Sequence, residues 1–164
     1  MATATNNLSD YDINTVPNAS KMAFGIVVSE WNEKITKGLL EGAFTTLLKH
    51  GAVEKNIAVQ FVPGAFELPL GAQTLLEKTY VDAVICLGSV IQGETKHFDF
   101  VCEAVSQGIK DVNLKYNQPV VFCVLTDNTL QQAIDRSGGK HGNKGIECAV
   151  AGIKMVALMN ELEG

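Results

Sequence analysis

Apolar and polar positions alternate in blocks along the chain. Residues 22–29, MAFGIVVS, form a short apolar, β-branched run, the pattern of a buried strand. Residues 33–50 then place Ile35, Leu39, Leu40, Ala43, Phe44, Leu47 and Leu48 on a stripe of helical period that stops at Gly51. A second strand is expected at 57–62, IAVQFV, ended by Pro63-Gly64. A helix follows at 66–78, where Pro69 is tolerated because it falls in the first turn. AVICLG, 83–88, is a third strand, followed by a glycine-opened loop and a helix over about 97–115. PVVFCVLT, 119–126, is a fourth. Two helical segments, about 128–135 and 145–161, complete the pattern, the latter with Ala149, Val150, Ile153, Val156 and Ala157 on one face.

Strand then helix, repeated four times, predicts an α/β domain of three layers, a four-stranded parallel sheet flanked by helices on both faces. Residues 1–20 are polar with isolated apolar positions and read as a flexible arm that orders against a neighbour, leaving 21–164 as a single domain. Open sheets of this kind bind ligands beyond the carboxyl ends of their strands. The places to look are therefore after Val28, Val62, Leu87 and Leu125.

Composition narrows the chemistry. The chain has 164 residues, 46% hydrophobic and 19% charged, which fits one globular domain and excludes a disordered one. A net charge of −5 argues against nucleic acid or an anionic membrane as partner, since both need concentrated positive charge. Arg136 is the only arginine, which is either drift towards lysine or a site that needs a planar, permanently charged fork for carboxylate or phosphate. Cys86, Cys102, Cys123 and Cys148 lack zinc-ligand spacing, so no metal is expected, and Cys86 and Cys123 sit in apolar runs as small buried hydrophobes. With no secretory-type apolar segment and no run near the roughly 20 residues of a membrane span, the expected setting is the cytoplasm.

The four strand ends carry the candidate groups. Trp31, the only tryptophan, falls in the polar loop SEWNEK, where it suits stacking on a flat heterocycle and equally suits packing on its own domain or a subunit contact. In VPGAFELP, Glu67 is a lone carboxylate among Ala65, Phe66, Leu68 and Pro69; it can accept hydrogen bonds from a ligand or favour a helix N-terminus. GSVIQGETKHFDF, 88–100, combines Gly93, the Thr95 hydroxyl and backbone N–H groups at a helix start, an anion-binding arrangement. Its His97 is either a proton carrier, histidine titrating near neutrality, or a solvated helix-start residue. At the fourth end Asp127 or Thr126 is expected to cap a short helix. The Gly138-Gly139-Lys140 run fails as a phosphate loop, because Ile134 stands where a glycine is needed and His141 where Ser or Thr is needed. It reads as a glycine hinge flanked by Arg136 and Lys144.

In this order, Trp31-Asn32, PGAFELP, GSVIQGETKHFDFV and IDRSGGKHGNKG resemble the lumazine synthase family, from residue 22 onwards. The resemblance implies a flavodoxin-like fold and the penultimate step of riboflavin biosynthesis. In that step 5-amino-6-(D-ribitylamino)uracil condenses with 3,4-dihydroxy-2-butanone 4-phosphate, giving 6,7-dimethyl-8-ribityllumazine, phosphate and water, without cofactor or metal. It places Trp31 on the uracil ring, and Ala65, Phe66, Glu67, Ser89, Val90 and Ile91 around the pyrimidine and its ribityl chain. Phe122 matches an aromatic position supplied by a neighbouring subunit. Glu94 (through its backbone), Thr95, Arg136 and Lys144 match the phosphate contacts, and His97 the proton-transfer residue. The implied partners are the two substrates and other copies of the chain, as pentamers with sites between subunits. The short loop SGGKHGNKG favours a sixty-subunit shell. His141 and Gln92 depart from the family's usual residues and bear on the field near the phosphate. The alternatives are a catalytically silent flavin- or lumazine-binding module, a shell or scaffold protein, and a riboflavin synthase of the same fold.

Overall fold

Every residue of Phe24–Ser29 is buried, so this strand, β1, lies inside the sheet rather than at its rim. The computed structural model describes residues 7–163. Its other main strands are β2 (Ile57–Val62), β3 (Ala83–Ile91) and β4 (Val120–Asp127). The spatial order is β2-β1-β3-β4, and every neighbouring pair is parallel. The chain builds outward from β1 to β2 on one side and from β3 to β4 on the other. The boundary between β1 and β3 is therefore the point where strand order reverses, where such folds open a crevice.

Helices cover both faces: α1 (Glu33–Lys49), α2 (Leu68–Lys78), α3 (His97–Tyr116), α4 (Leu130–Arg136) and α5 (Lys144–Glu163). Successive strand residues point to opposite sides, and the two cores follow that rule. Phe24, Ile26, Val28, Ile85 and Leu87 pack with Leu39 and Leu47 of α1 and Ile153 of α5. Val27, Val84 and Cys86 pack instead with Leu68 and Ala72 of α2 and Val105 and Ile109 of α3. Each such fully buried leucine or isoleucine contributes about 1.5–3 kcal/mol. This is the three-layer architecture expected from the alternating pattern, and it is flavodoxin-like, as the family resemblance implies. The helix stop at Gly51 is also as expected, with φ at +95°, a conformation side chains disfavour.

The structure differs from expectation in three places. β3 continues to Ile91 instead of ending at 88, because Ser89, Val90 and Ile91 still pair with Leu125, Thr126 and Asp127. The expected hinge is a small antiparallel ribbon, β5 (Ser137–Gly139) and β6 (Gly142–Asn143). The short helix α4 is capped by Thr129, whose hydroxyl accepts from Gln132 N while the Gln132 side chain accepts from Thr129 N. Asp127 and Thr126 do not cap it.

The start of the expected arm, residues 1–6, lies outside the described residues. Further on, Leu8 N donates to His141 O at 2.8 Å and Asn143 N donates to Ser9 Oγ at 3.0 Å. The Tyr11 hydroxyl lies 3.0 Å from His50 Nε2, and Lys154 Nζ donates to Thr15 Oγ1.

Candidate active site

Hydrogen bonds stitch the first three strand ends together. Glu30 N donates to Val62 O at 2.8 Å and Trp31 N to Pro63 O at 3.2 Å, joining the loop after β1 to the loop after β2. Asn32 adopts a left-handed backbone, φ 59°, a conformation asparagine tolerates better than most residues. Its side-chain amide donates to Ser89 O at 3.0 Å and so ties the same loop to the end of β3. Gln92 N then donates to Asp127 O at 2.9 Å, linking β3 to β4.

These ties enclose a cavity of about 390 Å³ at the β1–β3 switch point. Trp31, Ala65, Phe66, Glu67, Val90, Ile91, Thr95 and His97 all line it, brought together at the ends of three separate strands. Trp31 is 71% exposed and so packs little on its own domain, which leaves stacking on a ligand and a subunit contact as its readings. Glu67 ends a 3-10 turn before α2, and its carboxylate lies close over Gly64, where an added Cβ would come within 3.0 Å of Oε2. Gly93 faces open space. His97 is the first residue of α3, with its backbone N 3.4 Å from Thr95 Oγ1, and is exposed.

The remaining expected residues do not line this cavity. Ser89 is buried in β3, 1% exposed, with Oγ unpartnered. Glu94 lies on the exposed loop after β3. Phe122 pairs with Cys86, towards the start of β4, and is partly exposed on that edge strand. Arg136 ends α4, where its NH1 donates to Gln132 O at 3.0 Å and lies 3.7 Å from Asp127 Oδ1. Lys144 opens α5 and pairs with Glu147 at 2.7 Å. Burial opposes its charge, but the hydrogen bond and negative charge of Glu147 favour it, and its pKa is raised.

Sequence reasoning missed Phe98 and Val101, apolar residues of α3 that also line the cavity. It also missed the Asn32 brace and the buried carboxylate of Asp127. The αL tolerance of asparagine was the one available hint for Asn32; its partner 57 residues away left none.

Polar groups converging on a half-open apolar cavity at such a switch point mark a small-molecule site on a flavodoxin-like α/β fold. Residues 21–160 match the model of the 6,7-dimethyl-8-ribityllumazine synthase family. Proteins named 6,7-dimethyl-8-ribityllumazine synthase are similar over nearly the whole length. The one from Flavobacterium johnsoniae is 59% identical over 98% of this chain and 85% of its own. The Cytophaga hutchinsonii protein is 60% identical over 96% of this chain and 98% of its own, and that of Phocaeicola vulgatus 56% identical over 99% and 97%. The chain belongs to the 6,7-dimethyl-8-ribityllumazine synthase family.

Proposed function

We propose that the protein is a transferase that condenses 5-amino-6-(D-ribitylamino)uracil with 3,4-dihydroxy-2-butanone 4-phosphate, yielding 6,7-dimethyl-8-ribityllumazine, phosphate and water. The observation that carries this reading is the strand-end cavity in which Trp31, Glu67 and His97 meet. Trp31 stacks on the pyrimidine ring, and Glu67, with the backbone around Ala65, Phe66, Ser89, Val90 and Ile91, accepts and donates hydrogen bonds to the polar substrate. The amine of the diamine substrate attacks the ketone to form an imine, so a proton leaves nitrogen and the carbonyl oxygen departs as water. Phosphate then leaves by elimination, and ring closure by the ribitylamino nitrogen onto the second carbonyl expels a second water, with further protons moved in both steps. His97 carries them, and it stands beside Thr95 and Glu94, whose hydroxyl and backbone N–H receive the phosphate with Arg136 and Lys144. Holding two small molecules face to face supplies much of the rate.

Phe122, Arg136 and Lys144 do not line the same-chain cavity, which supports a site completed by a second copy. Phe61, Phe66, Leu70 and Phe100 are large apolar residues left exposed, as surfaces buried on association are. We assign a pentamer, assembled into a sixty-subunit shell, with residues 21–164 as the single working domain. Among the described residues no helix is long and apolar enough to cross a membrane, and the four free cysteines suit a reducing cytoplasm.

Mixing the two substrates tests the reading. Lumazine absorbance and free phosphate should rise together with added protein; a protein that binds the pyrimidine yet forms neither product would overturn it. His97→Ala should lower kcat by roughly 10²–10⁴-fold while pyrimidine binding persists. Sedimentation should find a large assembly, and a monomer at working concentration would sink the composite site.

A further inference from the structure

Asp127 is the only buried carboxylate among the described residues, 6% exposed at the carboxyl end of β4. Capping does not explain it, since Thr129 caps α4. Its Oδ1 lies 3.7 Å from Arg136 NH1, close enough for an ion pair and too long for a hydrogen bond. Its Oδ2 is buried with no hydrogen-bond partner. Burial raises the Asp127 pKa, and the Arg136 charge opposes that rise. A buried carboxylate so incompletely satisfied is costly to the fold and calls for a reason.

The reason lies in where the guanidinium is held. Arg136 NH1 donates to Gln132 O at 3.0 Å, and the Asp127 contact falls on that same nitrogen. One arm of the fork is thus anchored from its own helix and attracted from β4. Bidentate phosphate recognition uses two parallel N–H groups of a fixed guanidinium, and holding one edge leaves the others for the ligand. The Asp127 main chain is itself fixed, because its carbonyl accepts from Gln92 N at the end of β3. The anchor therefore carries the position of the sheet end to the arginine.

We propose that Asp127 is the positioning residue of Arg136, holding its guanidinium at the end of β4 in the orientation that receives the substrate phosphate. This rests on the reading of Arg136 as a phosphate contact. Asp127 acts through the arginine, and so on the phosphorylated substrate alone.

The test is a double-mutant cycle on the assembled enzyme with Asp127→Asn, Arg136→Ala and both together. Asp127→Asn keeps the shape and removes the charge; Asp127→Ser serves as a second variant should the amide not fold. Expected for Asp127→Asn is a KM for the phosphorylated ketone raised about tenfold, with inhibition by inorganic phosphate weakened in step. The KM for the pyrimidine should stay unchanged and kcat within about twofold. On the Arg136→Ala background the Asp127 substitution should add nothing. An unchanged or lower KM for the ketone, a parallel loss for both substrates, or an effect that persists in full without Arg136 overturns the proposal. If Arg136→Ala itself leaves the ketone KM unchanged, the phosphate reading has failed and the positioning role falls with it. If Arg136→Ala raises that KM and Asp127→Asn does not, the positioning role fails alone.

Discussion

Trp31 is largely in solvent, and so the fold gains little from its area while the cavity gains a flat apolar wall. Trp31→Ala should accordingly leave the melting temperature unchanged and cost about 1–3 kcal/mol of stacking on the pyrimidine. Titration of that substrate, with a thermal melt alongside, checks both halves. The residue was legible as a candidate because a lone tryptophan in a polar loop has no core to serve. Whether it stacked or packed was not legible, because that depends on what the loops after β2 and β3 place around it. Arg136 was legible by its rarity alone. Its anchor was not, since Asp127 in a linear reading is one more acidic residue near a helix start.

At the scale of elements, short pieces held by one or two contacts are the sensitive ones. α4 has only seven residues, and Thr129→Ala removes the hydroxyl that accepts from Gln132 N while leaving the backbone N–H that donates to the Gln132 side chain. That should cost about 1 kcal/mol, or about 2–4 °C in Tm for a chain of this size. The KM for the phosphorylated ketone should rise with it, because Arg136 closes the same helix. α1 and α5 meet at glycine: a Cβ on Gly145 would run into the Leu39 carbonyl oxygen. Gly145→Ala should therefore force two helices apart and destabilise by about 1–3 kcal/mol, read as a lower Tm in a calorimetric scan. The helices themselves were visible in their apolar stripes. The closeness of this pair was not, since glycine in a helix reads only as a weak position.

At the scale of the whole molecule, the segment before β1 is tied to the domain at a titratable group. His50 is buried at the end of α1, with its imidazole against the Tyr11 hydroxyl. Burial lowers its pKa, and the Lys49 charge lowers it further. The folded state therefore favours the neutral ring, and the unfolded chain binds the extra proton more readily. This contribution is present above the ordinary histidine range, near pH 6.5, and is lost as pH falls through that range to the lower folded value. Thermal melts across this window should show stability falling with pH, and His50→Gln should flatten that dependence. A wild-type profile identical to that of the variant would remove His50 as the cause.

The sequence by itself determined the layers and the chemistry on offer. Hydrophobic period distinguishes buried strand from amphipathic helix locally, and four repeats of the pair leave few folds to choose from. It also placed Trp31, Glu67, Thr95 and His97 at strand ends, because strand ends follow from the same period. Only the tertiary structure decided that these groups share one cavity while Phe122, Arg136 and Lys144 stand outside it. The strand order β2-β1-β3-β4 puts the first three loops side by side, and no local pattern encodes that order. The fate of Asp127 was settled at the same level. Its burial and its loose pairing with Arg136 arise where β4 and α4 meet, from contacts that exist only once the chain has folded.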